Sequence, residues 1–412
     1  MQKEVVITGR GLVTPLGIGL EVNEESLKKG KSGIEFIQKW ADLGLASNVG
    51  GLVNQELDCP LLNKKNRRFM SPNAIYATVA THEALTEAGL SLEDIKNKRV
   101  AIIIGHGGSA HDIVDKCAMS VRQTGKTKRV SPFIVPQAMA SSAVANLAII
   151  LGVSGESYTI SSACASGAHA IITATRLLQA DIYDIVITGG TEELNWIGAT
   201  GFDAMRALSR GHNDEPTIAC RPFDKDRDGF VIAEGAGMLI LETAECAKSR
   251  DAKPIVKVSG FSTNTNFHDM VVPNTEASSQ VILDSIKNAK LKVSDIDYVN
   301  THGTSTPVGD YVELDAIKKV FFEENSDIAI NSTKSMTGHM IGATGAIEII
   351  FCTQMIDKQF ICPTINLHNR QEGYEWANLV TETIYSKKVR HALSNSFGFG
   401  GTNTSIIVSA ID

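Results

Sequence analysis

Short β-branched runs alternate with longer amphipathic stretches along the whole chain, and this alternation limits the possible folds more than any other feature of the sequence. Candidate strands lie at 4–9, 99–105, 158–162, 184–190 and 237–242, then at 254–260, 296–300, 328–331, 391–396 and 405–409. Helical spacing of apolar residues marks 72–89, 166–180, 278–289, 312–322 and 345–355. Strands that alternate with helices read as an α/β protein whose sheets are covered on both faces. No stretch rich in Pro, Gly and Ser divides the chain.

A long-range echo adds to this. A strand, a short Ser/Gly loop and an Ala-rich helix occur at SSACASGAHAIITATRLL and again at NSTKSMTGHMIGATGAIEII. Each half also opens with a strand feeding a Gly-containing loop, VVITGRGL and VKVSGFST. β-loop-α units are common enough to echo by chance, but the pattern also fits a duplicated fold. In such a fold a site would lie between the halves, fed by loops at strand ends.

The chain has 412 residues, enough for two domains or one duplicated α/β unit. Hydrophobic residues make up 43% and charged residues 21%, which is globular usage and argues against disorder. The formal net charge of −7 argues against a nucleic-acid-binding protein, which normally carries a basic excess. The N-terminal apolar run is broken by Thr8, Gly9 and Arg10, unlike a secretory leader. No window approaches the ~20 apolar residues that span a bilayer, so no membrane association is expected. Seven scattered cysteines without a CxxC fit a reducing compartment, and the expected location is the cytoplasm.

Three residues stand at junctions where chemistry could occur. Cys164 lies in Ser161-Ser162-Ala163-Cys164-Ala165-Ser166-Gly167, between a predicted strand and a helix starting near Ser166. The positive end of that helix would favour the thiolate, although an inert, packed thiol would read the same way. His302 opens the loop THGTSTPVGD after a predicted strand, and His339 is expected at the start of a long helix. Lys334 and Glu348 flank His339 and complete a polar set beside an otherwise apolar helix. For either His alone, a structural hydrogen bond is a commoner role than catalysis. The ligand spacing of a metal site is missing. The Gly-rich segments 105–108 and 397–403 match neither GxxxxGK[ST] nor GxGxxG with its acidic follower, but they could let backbone N–H groups approach an oxyanion.

One nucleophilic Cys and two His without an obligate Asp partner form a coherent set. Thiol–thioester exchange is nearly isoenergetic, and neutral imidazoles suit the stabilisation of an enolate oxygen. The set points to acyl transfer followed by carbon–carbon bond formation. Hydrolysis would need a positioned water and base, for which there is no separate signal.

The motifs SSACASGAHA (161–170), RPFDKDRDGFVIAEGAGM (221–238), THGTSTPVGD (301–310), STKSMTGHMIGATGAIE (332–348) and SNSFGFGGTN (394–403) resemble those of β-ketoacyl-[acyl-carrier-protein] synthases of the decarboxylating, elongating type. The resemblance runs from VVITG to the C-terminus. It implies a thiolase fold, a duplicated five-layer αβαβα arrangement, with halves at 1–253 and 254–412, and a homodimer. It further implies that Cys164 carries the acyl chain, with the N–H groups of Cys164 and Phe399 as oxyanion hole. His302 and His339 would stabilise the malonyl-derived enolate, and Lys334, paired with Glu348, would support them. Thr304 and Thr306 would hold the pantetheine arm, Phe399 would gate the acyl pocket, and Gly108 and Phe202 would form its wall. No cofactor or metal is implied.

His339 stands where an initiating synthase would carry Asn, and no second Cys marks a degradative thiolase. The segments MASSAVANLA, GGTEELNW and FDAMRALS look more like synthase I than II, while His106 stands where a smaller residue is expected. The expected partner is acyl carrier protein, an acidic protein, and the candidate docking residues are Lys64, Lys65 and Arg68 beside Arg67, then Lys126 and Arg129 beside Lys128, with Arg206. Such charge runs also occur as plain solvated faces. An alternative reading is the ketosynthase subunit of a specialised polyene or polyketide pathway that needs a Cys-less chain-length-factor partner. A scaffolding subunit with an inert Cys164 and a cysteine hydrolase are weaker alternatives.

Overall fold

The computed structural model describes residues 3–108 and 110–411. Ten strands carry the architecture. In the N-terminal half they are β1 (Val5–Thr14), β2 (Val100–Gly105), β3 (Ser157–Ile160), β4 (Ile185–Glu192) and β5 (Gly235–Thr243). In the C-terminal half they are β6 (Val256–Thr265), β7 (Tyr298–Asn300), β8 (Ala329–Asn331), β9 (His391–Gly398) and β10 (Thr402–Ala410). The first five lie in the order β1-β5-β4-β2-β3 and the second five in the order β6-β10-β9-β7-β8. Each half has the same pairing: antiparallel for its first, fifth and fourth strands, parallel for its fourth, second and third. A short antiparallel contact, Val6 with Lys257 and Ile7 with Val256, joins the two along β1 and β6. The echo in the sequence is therefore a duplication of the fold.

The layers follow from alternation within the strands. Ala101 and Ile103 of β2 face one core, whereas Val100, Ile102 and Ile104 face another. Leu239 and Leu241 of β5 divide from Met238 and Ile240 in the same way. The outer N-terminal core is completed by α1 (Pro72–Ala88) and α3 (Ser142–Leu151), with α2 (His111–Thr124) between them in the chain. The central core is filled by α4 (Ser166–Gln179) and α8 (Thr344–Lys358), sandwiched between the sheets. After α5 (Trp196–Ala204), the helices α6 (Thr275–Asn288) and α7 (Gly309–Phe321) cover the outer face of the C-terminal half. These are the five layers αβαβα. Residues 344–356 of α8 are all buried, as a helix enclosed on every side must be.

All ten expected strands are present, but several are longer than their expected spans. β1 runs on to Thr14 because Gly9 and Gly11 do not end it. They admit α1, and a Cβ at Gly11 would lie 1.9 Å from the carbonyl oxygen of Ala80. Helices α2, α3 and α5 were not expected. α3 is apolar without a helical period, α5 carries Gly198 and Gly201, and α2 buries no residue fully. His339 does not begin a long helix. It lies between the single helical turn Lys334–Thr337 and a 3-10 turn at Ile341–Ala343, and α8 starts only at Thr344.

Gly105, the last residue of β2, supports the start of α4 directly. A Cβ there would lie 2.2 Å from the carbonyl carbon of Ser166. Gly105→Ala is expected to destabilise the protein by about 3 kcal/mol or more and to slow acylation of Cys164, because the backbone next to the turn must move. Thermal denaturation and acylation rate check this, and an unchanged melting temperature would contradict it.

Candidate active site

Cys164 sits on a sharp turn between β3 and α4. Ala163 has φ +51°, a region unfavourable for a residue with a side chain. Ser166 braces the turn: its Oγ accepts from Ser162 N at 2.9 Å and donates to Ala163 O at 2.6 Å. Further support comes from Ala165 N to Ser162 O at 3.1 Å. The helix thus begins two residues beyond the sulfur. The expected thiolate is not favoured at rest, since burial pushes the Cys164 thiol up to about 12. Lys334 and the N–H groups of Phe399 and Cys164, both directed at the sulfur, act against that rise, while Glu192 adds to it.

The sulfur and one ring nitrogen each of His302 and His339 lie within 4.8 Å of one another. Three donors are the least that a transition metal would use, and no acidic side chain or further Cys or His joins them among the described residues. The two rings meet edge to face with centroids 5.4 Å apart, and Phe230 packs against His339 at 5.5 Å. Burial holds both imidazoles well below the ordinary histidine range, and the positive charge of Lys334 pushes them further down. Both are neutral at physiological pH. Nδ1 of His339 lies 3.1 Å from Thr344 Oγ1, whereas His339 Nε2 and His302 Nδ1 bond to no other described residue. Lys334 is completely buried and donates to Glu348 Oε1 at 2.8 Å, which also accepts from Thr333 Oγ1 at 2.9 Å.

Cys164, His302 and His339 open onto one cleft, lined also by Phe202, Phe230, Ile341, Thr304, Thr306 and Phe399, whereas Lys334 and Glu348 lie behind its wall. Thr304 and Thr306 hydroxyls lie 3.1 Å apart. Phe399, 37% exposed, stands at the mouth, where Gly400 N donates to Met270 O at 2.7 Å and ties the 398–401 loop to residues 266–272. The ring of Phe202 packs on Phe230 and lies 6.3 Å from that of Phe399. Gly108, expected in the pocket wall, does not line this cleft. Its N–H is turned to Glu192 Oε1 at 3.2 Å. Away from the cleft, Lys64, Lys65, Arg68, Lys126, Arg129 and Arg206 are exposed and make no ion pair among the described residues, while Arg67 is paired with Asp58.

Several supporting residues escaped the sequence reading. Glu313 on α7 accepts the N–H groups of His302 and Gly303 at 2.9 and 2.8 Å, together with Asn395 Nδ2. Burial pushes its carboxyl up to about 7 against those donors. Buried Asp310 accepts from Phe223 N and Thr306 N, and Arg227 donates to Thr306 O at 2.8 Å. The RPFDKDRDGF segment therefore braces the loop carrying His302, Thr304 and Thr306. Only the pairing of acidic and basic residues in these two motifs hinted at this contact.

A model of the β-ketoacyl synthase N-terminal domain matches residues 2–247, and one of the C-terminal domain matches residues 255–368. The chain is 42% identical over 408 residues to 3-oxoacyl-[acyl-carrier-protein] synthase 1 of Escherichia coli strain K12, covering 98% of each chain. It is 41% identical over 406 residues, again 98% of each, to the protein of that name from Haemophilus influenzae. Among solved structures, a β-ketoacyl synthase from Burkholderia phymatum superposes with a TM-score of 0.93 at 31% identity, over the whole of both chains. A type II polyketide ketosynthase, bound to the hexaketide and in complex with its acyl-carrier protein, does so with a TM-score of 0.92 at 30% identity, also over the whole of both. With matches over both halves and nearly its full length, the chain belongs to the β-ketoacyl synthase family and is an acyltransferase-class enzyme of the thiolase fold.

Proposed function

We propose that this enzyme elongates acyl chains by decarboxylative condensation on acyl carrier protein. The observation that carries this reading is the meeting of one cysteine sulfur with two neutral imidazoles in a single cleft. In the first half-reaction, Cys164 attacks the acyl thioester. Its S–H proton passes to the departing pantetheine thiol as the C–S bond to Cys164 forms and the old one breaks. In the second, malonyl-acyl carrier protein loses CO2, and the electron pair of the broken C–C bond becomes an enolate. That enolate attacks the acyl carbon, expelling the Cys164 sulfur as a thiolate, which takes up a proton from solvent. The product is a 3-oxoacyl thioester two carbons longer.

The roles follow from chemistry at each atom. The N–H groups of Cys164 and Phe399 reach the sulfur and so lie beside it, where they suit the carbonyl oxygen of an acyl group carried on it. If the Thr344 hydroxyl donates to His339 Nδ1, the imidazole proton sits on Nε2 and points at the enolate oxygen. A cationic imidazole would hand its proton to that enolate and quench the carbon nucleophile, so neutrality is functional. Lys334 adds its charge to the burial that keeps the pair neutral, and Glu348 stabilises that charge in the interior. Thr304 and Thr306 suit the amides of a pantetheine arm, Phe399 the mouth, and Phe202 the acyl chain.

The exposed Lys64, Lys65, Arg68, Lys126, Arg129 and Arg206 supply cations for an acidic carrier protein. Two features support a homodimer. Among the described residues β3 pairs only with β2 and so leaves one edge open, and the face beside it exposes Ile149 at 82%, Val135 at 71%, Met139 and Phe69. A polyketide ketosynthase role is the second reading, supported by the likeness of fold. The higher identity to the two synthases named 3-oxoacyl-[acyl-carrier-protein] synthase 1 favours elongation. All seven cysteines are free, which supports a reducing, cytoplasmic setting. No helix among the described residues is long and apolar enough to cross a membrane.

Intact-protein mass spectrometry tests the reading. With acyl-acyl carrier protein the wild type should gain one acyl group and Cys164→Ala none. Malonyl-acyl carrier protein should then discharge the adduct as a product two carbons longer. No adduct from any acyl donor would contradict the proposal. A second outcome concerns pH. Lys334→Met removes a charge that depresses both imidazoles, so their protonation moves to higher pH. The acid limb of the condensation profile should move upward with it, and an unmoved limb would remove Lys334 from this role.

A further inference from the structure

We infer that Glu192 is a positioning residue of the condensing site, a buried clasp that holds the turn setting the ring of His339. The inference rests on the condensing reading above and assigns Glu192 to its second half-reaction.

Glu192 ends β4, is 4% exposed and does not line the cleft. Its carboxylate gathers backbone N–H groups from both halves of the molecule. Oε2 accepts from Gly107 at 2.8 Å and from Gly342 at 3.0 Å, and Oε1 accepts from Gly108 at 3.2 Å. His106 completes the arrangement. Its Nδ1 lies 2.9 Å from Thr191 O and 3.2 Å from Glu192 Oε1, both acceptors, so Nδ1 carries the proton, and Nε2 accepts from Asn73 Nδ2. Charge-assisted bonds of this kind are stronger than neutral ones.

The held turn would not keep its shape unaided. Ile341 is β-branched with φ +41°, a conformation that persists only where its surroundings enforce it. Space around it is minimal, since a Cβ on Gly342 would lie 2.2 Å from Gly107 N. This turn leads directly into α8. Thr344, its first residue, faces His339 Nδ1, and Glu348, one turn on, pairs with Lys334. Ile341 itself lines the cleft. The backbone of His339 is held independently, by His339 N to Val231 O at 2.7 Å and Ala233 N to His339 O at 2.9 Å. Loss of the clasp would therefore free the partner of the ring and leave the residue in place. The Cys164 turn is braced by Ser166, and removing the Glu192 charge takes away one influence that raises the thiol, so acylation is spared.

The test separates the half-reactions by single-turnover mass spectrometry in Glu192→Ala, Glu192→Gln and Thr344→Val. Discharge by malonyl-acyl carrier protein should slow about 10- to 100-fold in Glu192→Ala and Thr344→Val, while acylation stays within about threefold. Glu192→Gln, which keeps one acceptor oxygen, should lie between Glu192→Ala and wild type. Equal slowing of both half-reactions, or wild-type discharge in Thr344→Val, would overturn the clasp. Nitrogen NMR of the imidazoles reads the same device without substrate. The His339 ring should lose its single tautomer in these variants, and a ring that keeps it overturns the inference. Failure of the wild type to form any adduct would instead overturn the condensing reading, with the tautomer still deciding the clasp.

Discussion

The active site depends on the close approach of the two central helices. α4 follows the cysteine turn and α8 the second histidine turn, and their first residues meet through reciprocal contacts. A Cβ on Gly167 would lie 3.1 Å from Ala346 N, and one on Gly345 would lie 3.1 Å from Ala168 N. The segments are duplicates, Ala165-Ser166-Gly167-Ala168 and Ala343-Thr344-Gly345-Ala346. Only small residues allow two helix starts to pack this closely, and only that packing places Cys164 from one half against His339 from the other. His302, from the loop after β7, then completes a set that neither half holds alone.

A second constraint is electrostatic. Placing an ammonium in the interior is costly unless a carboxylate meets it, and removing one member of such a pair typically costs about 3–5 kcal/mol. The Lys334–Glu348 pair carries that cost beside the reacting atoms, and the return is functional rather than structural. Burial already holds both imidazoles low, and the Lys334 charge acts on each in the same direction. It also opposes the rise of the Cys164 thiol, although burial prevails there. Deprotonation of the sulfur thus belongs to the moment of attack and not to the resting enzyme.

The sequence reading caught the features set by strong, local rules. Short β-branched runs between helical stretches revealed all ten strands, and the Ser/Gly loop with its Ala-rich helix revealed the duplication. Cys164, His302, His339 and Lys334 stood out because reactive side chains at strand–loop junctions are few. What stayed hidden depends on contacts between distant segments. Glycine was read as a strand end in β1, where its task is to admit a neighbouring helix. Helix α3 has no polar face to give it a period, because even its exposed position, Ile149, is apolar. Glu192, Glu313 and Asp310 look like ordinary acids in sequence. Each is singled out only when the fold turns orphan N–H groups from another segment toward it. The thiolate expected at Cys164 failed for a similar reason, since the burial that opposes it comes from distant segments of both halves.

The account stands on two buried imidazoles that remain neutral beside a buried cation. Their titration, followed by nitrogen NMR on histidine-labelled enzyme, tests that directly. As the pH falls through the ordinary histidine range around 6.5, His302 and His339 should keep the signature of neutral rings. Protonation of either ring with a midpoint in that ordinary range would contradict the account.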